Sequence, residues 1–276
     1  PVYGAFDARA NDANRRIVTV PLHRTLSNKY TVDYDAFESA IRQNDVKVFI
    51  HCNPHNPVGH VWTDEEMDRL FSICKQHNVL IISDEIHQDL ITGSTPVTSA
   101  LSVSHGHYTD HMITMSSVSK SFNMASLHQA EVIIPNETLR HQYNAYKAQV
   151  YHTDADVIAE TAITAAYTHP EAEAWLDNVC AVIRQNYEYL YDELLSALPK
   201  LRISPMDGTY LTWIDFSAYV RAEDMHDLFE NQCRIAPSFG EWFGGESYAT
   251  FVRLNLATSL ANIKTATHSI IDYIRR

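Results

Sequence analysis

The first half of the chain alternates short apolar runs with stretches of helical periodicity. Val46–Ile50 is such a run. It ends shortly before Asn53-Pro54 and so predicts a buried strand. Thr63 and Glu66 have the spacing of a capping box, in which each side chain satisfies a free backbone N–H at a helix start. Met67, Leu70, Phe71 and Cys74 follow at i, i+3, i+4 and i+7 and form one apolar helical face, with Asn78 as its stop. Val79–Ile82, Met112–Met115 and Val132–Ile134 predict further strands, which end at Ser83-Asp84-Glu85, Ser116 and Pro135. Strand–helix–strand order, with strands apolar on both faces, predicts a parallel α/β sheet. The second half has a different pattern. Trp175, Val179, Val182, Ile183, Leu190 and Leu194 predict a long amphipathic helix closed by Pro199. Short strands around Tyr210–Asp215 and Phe251–Leu256, then a helix carrying Leu260, Ile263, Ile270 and Ile274, predict a smaller α+β unit.

Composition narrows the class of function. A hydrophobic fraction of 45% in 276 residues is enough for a proper core, in one large domain or two smaller ones. A net charge of -13 argues against nucleic acid or an anionic membrane as partner, and no apolar run is long enough to span a bilayer. Pro1–Asp7 has neither the basic start nor the apolar stretch of a signal peptide. Cys52, Cys74, Cys180 and Cys233 form no CxxC pair, which fits reduced thiols and a cytoplasmic location. The 15 histidines invite a metal reading. However, Pro54 excludes the helix that would align His51 with His55, and there is no HExxH. We therefore read most of them as surface and loop residues and expect no metal.

Ligands of open α/β sheets collect at the carboxyl ends of the strands. Three polar clusters fall there: Asn53–Gly59, Ser83–His87 and Ser117–Lys120. Each alone is a weak signal, because a turn, a helix cap or a solvated lysine would explain it. Together they supply what pyridoxal 5′-phosphate (PLP) chemistry requires. Lys120 is an amine able to form an imine, and an ordinary lysine, with a pKa of roughly 10.4, must be tuned by its site for that task. Asp84 is a carboxylate for the pyridine nitrogen, Asn56 a donor for the phenolic oxygen, and Ser117 and Ser119 are hydroxyls for the phosphate.

The strings Asn53–Asp68, Ser83–Leu90, Ser119–Ala125, Gly208–Leu211, Trp213–Phe216 and Phe251–Asn255 resemble the class I/II aminotransferase superfamily of fold-type I PLP enzymes. Within it they are most similar to the cystathionine β-lyase, or C–S lyase, branch. The resemblance covers essentially the whole chain. It implies a mainly parallel large domain over 1–168 and a smaller C-terminal α+β domain over 169–276. It implies PLP as cofactor, an amino-acid substrate, and a homodimer with its active site at the interface. By the same resemblance Lys120 holds the cofactor and moves protons at the substrate Cα, Asp84 pairs with the pyridinium nitrogen, and Asn56 binds the phenolic oxygen. Ser117 and Ser119 contact the phosphate. His87 stands where many aminotransferases have tyrosine, a cofactor-side position. Arg253 grips the substrate α-carboxylate, a task suited to a two-pronged guanidinium.

The chain departs from the family pattern in places. Position 128 is His where members often carry a phosphate-binding arginine, and Ala257–Leu260 replaces a Cys-Pro-Arg string. Pro1-Val2-Tyr3 resembles a strand and turn from inside the family's large domain, so the chain is expected to lack the N-terminal arm and the first glycine-rich turn. The expected activity is β-elimination from sulfur amino acids. The rivals are transamination on the same scaffold, and an inactive fragment or non-catalytic regulatory module.

Overall fold

In the computed structural model, the described residues are 1–150 and 156–276. Helix α1 (Gly4–Asp12) leads to a ribbon of β1 (His23–Arg24) and β2 (Tyr30–Thr31). Helix α2 (Tyr34–Asn44) starts where the Asp33 carboxylate accepts from Ala36 N–H. Then come β3 (Val48–Cys52), α3 (Asp64–Gln76), β4 (Leu80–Asp84), β5 (Met112–Ser116), the one-turn α4 (Val118–Ser121) and β6 (Glu131–Ile133). Both halves of the Thr63–Glu66 capping box form, and Asn78, just past the end of α3, takes the left-handed conformation with φ 54°. Helices α5 (Glu137–Val150), α6 (Val157–Thr168) and the 26-residue α7 (Ala172–Ala197) follow. The chain ends in β7 (Arg202–Ile203), β8 (Leu211–Asp215), β9 (Ser238–Phe239), β10 (Phe251–Asn255) and α8 (Leu260–Ile274).

The first sheet has the order β3-β4-β5-β6. β3, β4 and β5 are parallel, in the register Val48↔Leu80 and Ile82↔Ile113. The sheet is mainly parallel, as expected, and β6 is its exception: it runs antiparallel to β5 with Met115 opposite Val132. The connection Ser117–Ala130 holds only one-turn helices, too little to carry the chain back to the start of the sheet for a parallel crossover. One face of this sheet is packed by α2 and α3, with Phe37, Ile41, Met67, Leu70 and Phe71 against Ile81 and Met112. The other face was also expected to be buried. Val48, Ile50 and Met115 on that face are exposed, because no described element covers them. Pro1–Tyr3 forms no strand either. Val2 N–H donates to the Phe243 carbonyl at 2.9 Å, and the chain goes straight into α1.

The second sheet, β7-β8-β10-β9, is antiparallel throughout. Its main core packs Leu190 and Leu194 of α7 and Ile263 and Ile270 of α8 against Ile203, Ile214, Val252 and Leu254. Leu90, from the loop after β4, joins this core. A third cluster, Tyr30, Val58, Trp213, Phe243 and Phe251, ties the two sheets together. This junction matters for function, because it brings the strand ends of the first sheet to β10 of the second.

Candidate active site

The turn after β3 is held from both sides. Asn53 accepts from Trp62 N–H at 3.1 Å and donates to the Thr98 carbonyl at 3.1 Å. Asp207 and Gly208 N–H both donate to the Gly59 carbonyl, at 2.9 and 3.0 Å. Gly59 has φ +72°, and a Cβ there would lie 3.2 Å from the Met206 backbone, so the close approach of the two segments requires glycine. The buried Asn56 is thereby fixed facing β10. Arg253 Nη1 donates to Asn56 Oδ1 at 2.8 Å, and Nη2 donates to Ser238 Oγ at 2.9 Å. A guanidinium only donates, so the Asn56 oxygen is committed to it and the Asn56 Nδ2 remains as the free donor. The five N–H groups of Arg253 are then reduced to three. One of them, Nε, is buried without a partner.

Asp84 closes β4, where its Oδ1 accepts from Ile86 N–H at 3.1 Å. Burial raises its pKa, while the Ile86 N–H and the charge of Lys120 act the other way. His87 lies deeper. Burial pushes its imidazole down to about 3, and the charges of Lys120 and Arg253 add to this. It is therefore a neutral ring, in edge contact with Tyr210 at 5.6 Å, with Nδ1 buried and unpartnered. Lys120 sits on α4 directly beyond β5, half-buried, and its charge is felt by both Asp84 and His87. Asn56, Asp84, His87, Lys120 and Arg253, drawn from four separate segments, thus form one polar cluster.

The two serines are placed differently. The buried Ser117 donates its hydroxyl to the Gln129 carbonyl at 2.7 Å and accepts from Ser119 N–H, so it caps the α4 turn. The Ser119 hydroxyl has no hydrogen bond among the described residues. His128 is exposed, with φ 49°. His51 and His55 are buried. Among the described residues, no group of His, Cys, Asp and Glu could hold a metal ion, all four cysteines are free, and no helix is long and apolar enough to cross a membrane.

The donor set fits PLP. A lysine amine, a half-buried carboxylate near it, an amide donor with its oxygen already spent, and unpartnered nitrogens on His87 and Arg253 leave the polar atoms that the cofactor and an amino acid would satisfy. Sequence reasoning overlooked Ser238, Tyr3 and Trp242. Tyr3 and Tyr210 are close enough to Arg253 to act on its ionisation, and Trp242 stands 6.0 Å from its guanidinium. Tyr210 lay inside a recognised string. Ser238 could not have been read out, because it meets Arg253 only through the β9–β10 register.

The chain is 33% identical over 267 residues to cystathionine beta-lyase PatB of Bacillus subtilis, covering 96% of this chain and 67% of that protein. It is 30% identical to protein MalY of Escherichia coli, covering 100% and 69%. The crystal structure of cystalysin from Treponema denticola, which contains PLP, superposes with TM-score 0.93 at 27% identity over 100% of this chain and 69% of that one. The chain thus spans about two thirds of the length of these relatives. The pattern described as aminotransferase class I and II matches residues 1–270, and the chain belongs to that family.

Proposed function

We propose that the protein is a PLP-dependent C–S β-lyase that converts sulfur amino acids of the cystathionine type to a thiol, pyruvate and ammonia. The observation that carries this reading is the convergence of Lys120, Asp84 and His87 beside the Arg253–Asn56 pair. The relatives named as cystathionine β-lyases favour elimination over transamination. We further propose domains at 1–168 and 169–276, a homodimer with the active site at its interface, and a cytoplasmic location, which suits the four free thiols.

When bound, PLP supplies an electron sink for the charge left at the substrate Cα. The chain supplies the rest. Arg253 binds the α-carboxylate through a two-pronged contact and so fixes which Cα bond is presented. Asp84 would accept a hydrogen bond from the ring nitrogen and keep it protonated. Asn56 Nδ2 would donate to the phenolic oxygen. Lys120 Nζ would hold the cofactor at rest, then take the Cα proton and deliver a proton to the departing sulfur. The neutral His87 offers a hydrogen bond without adding a third positive charge beside Lys120 and Arg253. The Ser119 hydroxyl and the Ser117 turn would hold the phosphate. Overall, one water is consumed, the Cβ–S bond breaks, and thiol, pyruvate and ammonium leave.

The test is to load the protein with PLP, reduce with borohydride, map the labelled lysine, and assay L-cystathionine. Label on Lys120 with equal release of thiol and pyruvate is expected. Label elsewhere, or a 2-keto-acid-dependent turnover that yields pyridoxamine phosphate and no thiol, would overturn the reading.

A further inference from the structure

Lys120 lies on α4, a helix of a single turn. So short a helix has too few internal hydrogen bonds to hold its own orientation, and tertiary contacts must set it. A lysine adds a flexible four-carbon stem, so the direction of its amine depends on how that turn is pinned. A group that moves protons has to be held within about 0.5 Å of its working position. Side-chain hydrogen bonds pin α4 at both ends. At its start the buried Ser117 donates to the Gln129 carbonyl at 2.7 Å. At its end the buried Ser121, next to Lys120, donates its hydroxyl to Asp89 Oδ2 at 2.8 Å. Phe122 then stacks on Trp175 of α7 at 5.6 Å, which holds the chain beyond the turn.

Asp89 belongs to the turn that carries Asp84 and His87, and that turn is itself fixed. Gln88 N–H donates to the Glu85 carbonyl and Leu90 N–H to the His87 carbonyl, both at 2.9 Å. Leu90, 1% exposed, is locked into the core of the second sheet. The Asp89 carbonyl accepts from Cys180 Sγ of α7 at 3.8 Å. Tyr167 of α6 donates to the same Oδ2 that Ser121 uses, at 3.3 Å. Burial and the charges of Asp89 and Glu131 push the Tyr167 phenol up, so it stays a donor. Among the described residues, Asp89 makes no side-chain hydrogen bond to Asp84, His87 or Lys120. Its carboxylate therefore acts on them through the backbone, by tying the helix of Lys120 to the turn of Asp84 and His87.

We propose that Asp89 is a positioning residue for Lys120. Through Ser121 its carboxylate fixes the rotation of α4, and with it the place of the Lys120 amine relative to Asp84 and His87. This rests on Lys120 being the lysine that holds the cofactor. Ser121→Ala, Asp89→Ala, Asp89→Asn and Tyr167→Phe separate positioning from a general gluing of helices, because both bonds meet one oxygen that an asparagine amide oxygen can replace. Hydrogen exchange over Ser117–Ala125 in the PLP-free protein reads the tether itself. Visible circular dichroism of the PLP-loaded protein reads how the cofactor is seated, and L-cystathionine turnover reads proton transfer. Ser121→Ala and Asp89→Ala should each speed exchange and lower kcat about tenfold, the cost of one buried hydrogen bond and a misplaced amine. Both should weaken the visible dichroism and leave KM little changed, because the grip of Arg253 is untouched. Asp89→Asn and Tyr167→Phe should stay near wild type in every readout. Unchanged exchange or dichroism in Ser121→Ala, a raised KM at normal kcat, or an Asp89→Asn protein as impaired as Asp89→Ala would overturn the positioning role and leave the lyase reading standing. If the wild type releases no pyruvate, the lyase reading fails, and exchange and dichroism still decide the role of Asp89. Borohydride label on another lysine would overturn both.

Discussion

The buried histidines make acid lability a quantitative expectation. His51 lies inside β3 among Phe49, Trp62 and Phe71, with its Nε2 unpartnered. Burial pushes its pKa from 6.5 down to about 3, and nearby His60 adds to this. His87 is likewise at about 3, and His55 is well below 6.5. A ring kept neutral in the fold but free to protonate in the unfolded chain makes unfolding take up a proton. Stability is therefore complete above pH 6.5 and is lost as pH falls from there toward the folded value. At pH 5 the loss is about 2 kcal/mol for His51 and again for His87, at 1.36 kcal/mol per pH unit. Together they approach about 4 kcal/mol, a large fraction of the stability of a typical domain, and His55 acts in the same direction. Asp84 and Glu85, whose pKa values burial raises, oppose this by binding protons in the folded state as pH falls. His51→Leu isolates one contribution. It removes an orphan polar atom, so at pH 7 it should be neutral to stabilising. Urea unfolding followed by tryptophan fluorescence at pH 7 and pH 5 gives the stability difference for wild type and variant. That difference should shrink by about 2 kcal/mol in His51→Leu. An unchanged difference would show that His51 is protonated or hydrated in the folded protein, and would refute the argument.

Three further expectations concern the cleft. Arg253→Lys should raise KM for amino-acid substrates on the order of a hundredfold with the bound-PLP spectrum intact, because lysine cannot make the forked contact; an unchanged KM would place the carboxylate elsewhere. Ser238→Ala removes one of the two bonds that aim Arg253, at a cost of about 1–2 kcal/mol. KM should therefore rise several-fold with kcat little changed, Ser238→Thr should restore it, and a pure kcat loss would count against the positioning role. Asp84→Ala should lower kcat by about 2–4 kcal/mol of transition-state stabilisation while leaving the circular dichroism spectrum intact; a normal rate would exclude Asp84 from the ring nitrogen.

Local sequence determined the elements whose signals are local. The Thr63–Glu66 box, the Met67–Cys74 stripe and the α7 periodicity need only neighbours a turn away, so they read correctly from the chain alone. The polar clusters at Asn56, Asp84 and Lys120 were legible because strand ends are where such sheets expose ligand groups. Tertiary structure decided the rest. The direction of β6 depends on how far the Ser117–Ala130 connection can travel, not on the apolar run itself. Apolar strands alone do not reveal whether a face is covered, and Val48, Ile50 and Met115 are bare because burial depends on which other elements are present to pack there. His51 reads as polar in any one-dimensional pattern, yet it is enclosed by three aromatic rings brought from Phe49, Trp62 and Phe71. The Asn56–Arg253 bond spans 197 residues, and the Ser238 contact arises from a two-residue strand. Such contacts carry no periodicity, so they emerge only when both sheets pack on the cluster around Trp213 and Phe251.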